Sequence, residues 1–196
     1  MSAKSLTIAA LAAAVVAVLV AGLVQLSGSS APPARSRITL AQARARLAGS
    51  PPQLAALHAQ AGELLEGGLR ALRARLASLR GTPVVINKWA SWCEPCRQEF
   101  GVFQRVSVSR GREVAFLGID SGERSRADAL AFLRSFPVSY PSYYDPGGRA
   151  GLAVTDSSFT PVTVFLNRRG GEFIHQGPFP SAAKLEAAVR RYALER

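Results

Sequence analysis

Cysteine and histidine are nearly missing from this sequence, two of each in 196 residues. Two cysteines cannot build the multi-bridge framework of a small disulfide-stapled scaffold. Nor do they make a structural zinc site, which wants four ligands and would have to recruit both His58 and His175. Acid is absent altogether from residues 1–62, where Lys4, Arg35, Arg37, Arg44 and Arg46 go unanswered, so nearly half of the formal net charge of +11 lies in the N-terminal third. Aromatic residues make up only 8% of the chain, and no basic run is interleaved with them as a groove for single-stranded nucleic acid requires. Nucleic acid is therefore not an expected partner. Attraction to an anionic membrane surface explains the charge more simply.

One long apolar run is present. From Leu6 to Val24 the only polar side chain is Thr7. The apolar core of a cleaved signal spans about 7–15 residues, whereas about 20 cross a bilayer, so residues 1–26 are expected to be a single-pass anchor. Cleavage near Ser29-Ser30-Ala31, giving a secreted protein, is the alternative. Residues 27–38 are rich in serine, proline and alanine and read as a flexible linker. Leucines at helical spacing then predict a capped helix from Thr39 to Leu47, a second from Gln53 to Leu65 and a third from Leu69 to Leu79. Residues 39–80 are thus expected to be a helical extension, and residues 81–196 one domain with its own core.

Both cysteines lie in Trp89-Ala90-Ser91-Trp92-Cys93-Glu94-Pro95-Cys96. The β-branched run Pro83-Val84-Val85-Ile86 precedes it, and Arg97-Gln98-Glu99-Phe100-Gly101-Val102-Phe103 follows with apolar residues at helical spacing. A bridge across two residues closes too small a loop to add much stability, so the pair points to chemistry. Pro95 suits the first helical turn, which starts the helix at or just after Cys93 and sets its sulfur over free N–H groups at the positive end of the dipole. That placement favours the thiolate and makes Cys93 the nucleophile. Cys96, one turn along and more covered, would resolve a mixed disulfide. Glu99, three residues on, lies on the same helix face, where a carboxylate would exchange a proton with Cys96. A solvated helix glutamate is the blander alternative for Glu99.

From Val84 to Phe100 the sequence resembles the thioredoxin-like proteins, in particular their membrane-anchored extracytoplasmic TlpA/ResA branch. The Glu94-Pro95 dipeptide and Glu99 belong to that resemblance, while Lys88 departs from it, an aromatic residue being commoner there. The likeness runs from about Gly81 to the C-terminus. It implies an α/β thioredoxin-like fold, a mixed central sheet with helices on both faces. It also implies a cis-proline at Pro161 facing the cysteines, with Thr160 presenting its backbone to an extended substrate chain. Without the resemblance Pro161 is merely the first residue of a strand. Trp89 and Trp92 divide between packing and substrate contact, Trp92 being the candidate for contact, and Lys88 reads as a strand-edge lysine.

Downstream, Glu113 to Asp120 reads as a strand apolar on both faces, Asp128 to Phe136 as an amphipathic helix, and Arg149 to Val154 as a short helix. Thr155 to Thr160 is polar and reads as a mobile lip at the substrate groove, a plain surface loop being the commoner alternative. Pro161 to His175 forms a hairpin, and Ser181 caps a last helix. The expected activity is protein thiol–disulfide exchange without a cofactor. A monomer would reduce disulfides of exported proteins, apocytochromes c among them, and be re-reduced by a membrane electron donor. Two alternatives stay open: a disulfide-forming oxidase, and a non-enzymatic metal carrier using Cys93, Cys96 and His175.

Overall fold

The computed structural model describes residues 36–195. The expected anchor over residues 1–26, and the linker up to residue 35, lie outside them. In chain order the elements are α1 (Leu40–Leu47), α2 (Pro52–Ala59), β1 (Leu64–Leu65), α3 (Gly68–Ser78), β2 (Val84–Trp89), α4 (Glu94–Arg110) and β3 (Ala115–Ser121). There follow α5 (Arg126–Ser135), β4 (Ser142–Asp145), α6 (Arg149–Thr155), β5 (Val162–Leu166), β6 (Glu172–Gln176) and α7 (Ala182–Ala188), which runs on as a π-helical turn, Val189–Leu194.

The six strands form one sheet in the order β1-β4-β3-β2-β5-β6. The first four are parallel, β5 pairs antiparallel with β2, and β6 pairs antiparallel with β5. Every residue of β2 and β3 is buried, as a parallel sheet covered on both sides requires. On one face Trp89 lies 5.1 Å from the Phe100 ring of α4 and 5.0 Å from the Phe132 ring of α5, with Leu185 of α7 in the same cluster. On the other, Leu54 and Leu57 of α2, Leu72 of α3 and Ala150 of α6 cover Val84, Ile86, Leu117 and Ile119. Gly118 sits where β3 and β4 nearly touch: a Cβ there would come 2.1 Å from Ser142 Oγ. The thioredoxin-like α/β architecture is the one expected.

Three local expectations change. The helix predicted from Gln53 to Leu65 ends at Ala59, because Gly62 turns the chain with φ 75° and donates its N–H to the Tyr140 carbonyl. Leu64–Leu65 then pair with Ser142 and Tyr143 as the edge strand β1. Residues 39–80 are consequently no appendage: Leu64 enters one core and Leu54, Leu57, Leu72 and Leu79 the other. Lys88 is not on an edge either, since β2 lies between β3 and β5 and leaves Lys88 2% exposed.

Candidate active site

The alternation of β2 sends Val85 and Trp89 into the α4 face and Val84 and Ile86 into the other, so Asn87 shares the side of Trp89 and Lys88 the side of Ile86. The strand then turns over Ala90–Trp92 into α4. Cys93 is the N-cap of α4: its Sγ accepts the Cys96 N–H at 3.2 Å, and Pro95 stands in the first turn. A sulfur so placed meets orphan backbone donors and the positive end of a helix of 17 residues, both of which stabilise a thiolate once the pair is reduced. In this structure Cys93 and Cys96 are disulfide-bonded, and Cys96 is the more enclosed, 0% exposed against 4%.

Glu99 faces inward. The alternative of a solvated helix glutamate fails, because the helix packs against the sheet there and the side chain is fully buried. Its Oε2 accepts the Phe179 N–H at 3.0 Å, while Oε1 has no hydrogen-bond partner. Burial pushes its pKa up to about 8, against the opposing pull of the Phe179 amide and the neighbouring Asn87 side chain. Tyr140 joins this polar pocket under the cysteines. Its hydroxyl is pushed above the usual range mainly by burial, with the nearby Glu99 charge adding to the rise.

Pro161 precedes β5, whose first residue pairs with Lys88 near the end of β2, so it lies at the same end of the sheet as the cysteine turn. The Thr160–Pro161 peptide is cis. Thr160 is half-buried, and Phe159 beside it is 74% exposed. Trp92 is 47% exposed, with its indole N–H donated to the Gly122 carbonyl at 3.1 Å. Thr155 to Thr160 is not a loose lip: the buried Lys88 ammonium and the Thr155 hydroxyl both donate to the Ser157 carbonyl. Burial lowers the Lys88 pKa, and the Asp145 carboxylate partly restores it. His175 lies on β6 with its ring 4.2 Å from that of Phe179. Among the described residues no group of three or more His, Cys, Asp and Glu side chains is placed to hold a metal ion.

Sequence reasoning passed over Asn87 beneath Glu99, and Asp120 and Glu123 above the turn. Asp120 lies near the end of the wholly buried β3, and Glu123 accepts the Ser91 N–H at 2.7 Å, two residues before Cys93. The signal was present, because a carboxylate ending a run as apolar as Val114-Ala115-Phe116-Leu117-Gly118-Ile119 has no solvent-facing side to occupy.

No protein-family model matches the chain. It is 31% identical over 99 residues to the thiol-disulfide oxidoreductase ResA of Bacillus subtilis (strain 168), a stretch covering 50% of this chain and 54% of the relative. To the thiol:disulfide interchange protein DsbE of Allochromatium vinosum it is 38% identical over 76 residues, 38% of this chain and 40% of the relative. Among solved structures, MTB DsbF in its mixed oxidised and reduced forms aligns with a TM-score of 0.53 at 27% identity, covering 59% of this chain and 84% of that one. The fold is thioredoxin-like, and the chain is similar to thiol–disulfide oxidoreductases of the ResA and DsbE kind. It spans about half the length of the curated relatives it matches.

Proposed function

We propose that the chain is a thiol–disulfide oxidoreductase that reduces disulfides of exported proteins, held outside the cytoplasmic membrane by its N-terminal segment. The observation that carries this reading is Cys93 at the N-cap of α4, its sulfur already taking an α4 amide and already bonded to Cys96. In the reduced state the Cys93 thiolate attacks one sulfur of a substrate disulfide and expels the other as a thiolate. Glu99 then takes the Cys96 proton, and the Cys96 thiolate attacks Cys93 Sγ, expelling the second substrate sulfur as a thiolate. Two electrons have passed to the substrate. The protein is left as the disulfide with a neutral Glu99, the state that burial favours here. Return to the dithiol takes two electrons from a membrane donor, with Glu99 returning its proton to Cys96. Trp92 and the Thr160 backbone are the groups we expect to receive an extended substrate segment.

Apocytochromes c, which need a reduced cysteine pair, fit the substrate class that the TlpA/ResA likeness suggests. The reverse direction, disulfide formation, is set apart by potential. Equilibrium titration of Cys93–Cys96 in the full chain is expected to fall toward the reducing end of the range of about −270 to −120 mV that Cys-X-X-Cys proteins span. A value near the oxidising end would overturn the reductant reading in favour of the oxidase.

A further inference from the structure

A pair of acids stands beside the cysteine turn, and the reaction as written does not use it. Asp120, one residue before the end of β3, is in register with Trp89, is 0% exposed, and neither of its oxygens accepts a hydrogen bond from a donor group. Its carboxyl lies within hydrogen-bond reach of Glu123. The charged groups around them do not neutralise the pair. Asp145 adds a like charge to Asp120, and Lys88 is turned to the Ser157 carbonyl and Asp145. Arg97 donates to the Ser91 carbonyl, and Arg124 meets Glu123 through its backbone N–H with its guanidinium over the Trp92 ring. Two desolvated carboxyl groups within hydrogen-bond reach of each other share one proton. Glu123 accepts the Ser91 and Arg124 N–H groups, each at 2.7 Å, and these stabilise a carboxylate. Asp120 accepts none, so the proton belongs to Asp120.

We propose that Asp120, as a carboxylic acid, donates a hydrogen bond to the Glu123 carboxylate, and that this acid–carboxylate pair positions the Ser91–Trp92 turn that presents Cys93. Glu123 grips the turn at the Ser91 N–H, Gly122 takes the Trp92 indole N–H at 3.1 Å, and Arg97 holds the Ser91 carbonyl from α4 at 2.8 Å. Loss of the shared proton sets two carboxylates against each other with Asp145 behind them, which loosens the grip on Ser91. Burial and the Glu123 charge raise the Asp120 pKa to about 9, so the clamp is closed at neutral pH and opens in alkali. Its purpose rests on the oxidoreductase reading, but its existence does not.

Two measurements on the full chain test it. In a Glu99→Gln background at pH 7, infrared spectroscopy is expected to show one protonated-carboxyl band that Asp120→Asn removes. Alkylation of Cys93 in the reduced Cys96→Ser chain is expected to show a rate step near pH 9 beyond the thiol titration. Asp120→Asn, which keeps a neutral donor to Glu123, should erase that step while holding the neutral rate within about threefold. Glu123→Ala should shift the neutral rate about tenfold with the circular dichroism unchanged, and Glu123→Gln, which still accepts from Ser91, should restore it. A carboxyl band that survives Asp120→Asn overturns the proposal, and so does a Glu123→Ala chain that is folded and alkylated as wild type. Should Glu123→Ala not fold, the infrared band and the Asp120→Asn profile decide. Failure of the wild-type chain to reduce any protein disulfide would instead sink the oxidoreductase reading and leave these readouts standing.

Discussion

Glu99 and Asp120 are both fully buried acids beside the cysteine turn, yet their surroundings treat the proton differently. Glu99 is a lone carboxyl with one backbone donor, and Asn87 and Tyr140 around it are neutral at physiological pH. Asp120 has no donor and faces a second carboxyl that keeps its charge. The first arrangement makes a group that gains and loses a proton as the neighbouring cysteine does. The second fixes a proton in place at neutral pH and uses it as structure. Burial alone therefore does not assign a role to a carboxyl; the number of donors and the charge of the nearest neighbour do.

The largest expected effect concerns what the two acids share. Each has a folded pKa raised above its unfolded value, from 4.5 to about 8 for Glu99 and from 3.8 to about 9 for Asp120. Each stabilising contribution is full below the unfolded value and lost as pH rises toward the folded one, so stability should fall between about pH 4 and pH 9. Glu99→Gln combined with Asp120→Asn should flatten that slope and raise stability at pH 7, each substitution by on the order of 1–3 kcal/mol and the two adding, as separate sites do. Denaturant melts of the four chains across that range measure it. A flat wild-type profile would mean that neither acid is strained by burial.

The next effect separates them. Glu99→Gln should slow disulfide exchange about tenfold, a barrier of about 1.4 kcal/mol, and remove the limb of the rate profile near pH 8, whereas Asp120→Asn should leave that limb in place. Stopped-flow exchange with a small disulfide reads both, and identical profiles for the two variants would dissolve the distinction.

How legible this was in the sequence follows from the same contrast. The strand–turn–helix order, the N-cap at Cys93 and Pro95 in the first turn could be read because each depends on neighbours in the chain. Glu99 was found by its spacing from Cys96, but its burial was not, since that depends on the Phe179 loop arriving from 80 residues away. Glu123 holds Ser91 across a 32-residue separation, and no local pattern reports such a contact. Lys88 looked like an edge residue for a similar reason: strand order is a tertiary fact, and β5 covers β2 from beyond α6. Leu64–Leu65 had helical spacing and became a strand because the β4 edge offered its backbone partners.

Smaller effects test the frame that holds both acids. Lys88→Met should cost about 1–2 kcal/mol, because the buried Ser157 carbonyl loses its charged donor and keeps only the Thr155 hydroxyl. Trp92→Ala should cost less than about 1 kcal/mol of stability, its ring being half exposed, and should leave the pH profile of exchange unchanged. Thermal melts and the same exchange assay check both. A changed profile in Trp92→Ala would show that the indole bond to Gly122 belongs to the Asp120–Glu123 clamp rather than standing beside it.

The division of labour between the two sulfurs is tested most directly by trapping. Full-length Cys96→Ser and Cys93→Ser chains, each incubated with disulfide-bearing exported proteins and run on non-reducing gels, are expected to differ completely: a covalent adduct at Cys93 accumulates in the first and none forms in the second. Equal adducts from both chains, or an adduct only from Cys93→Ser, would contradict attack by the sulfur at the α4 N-cap.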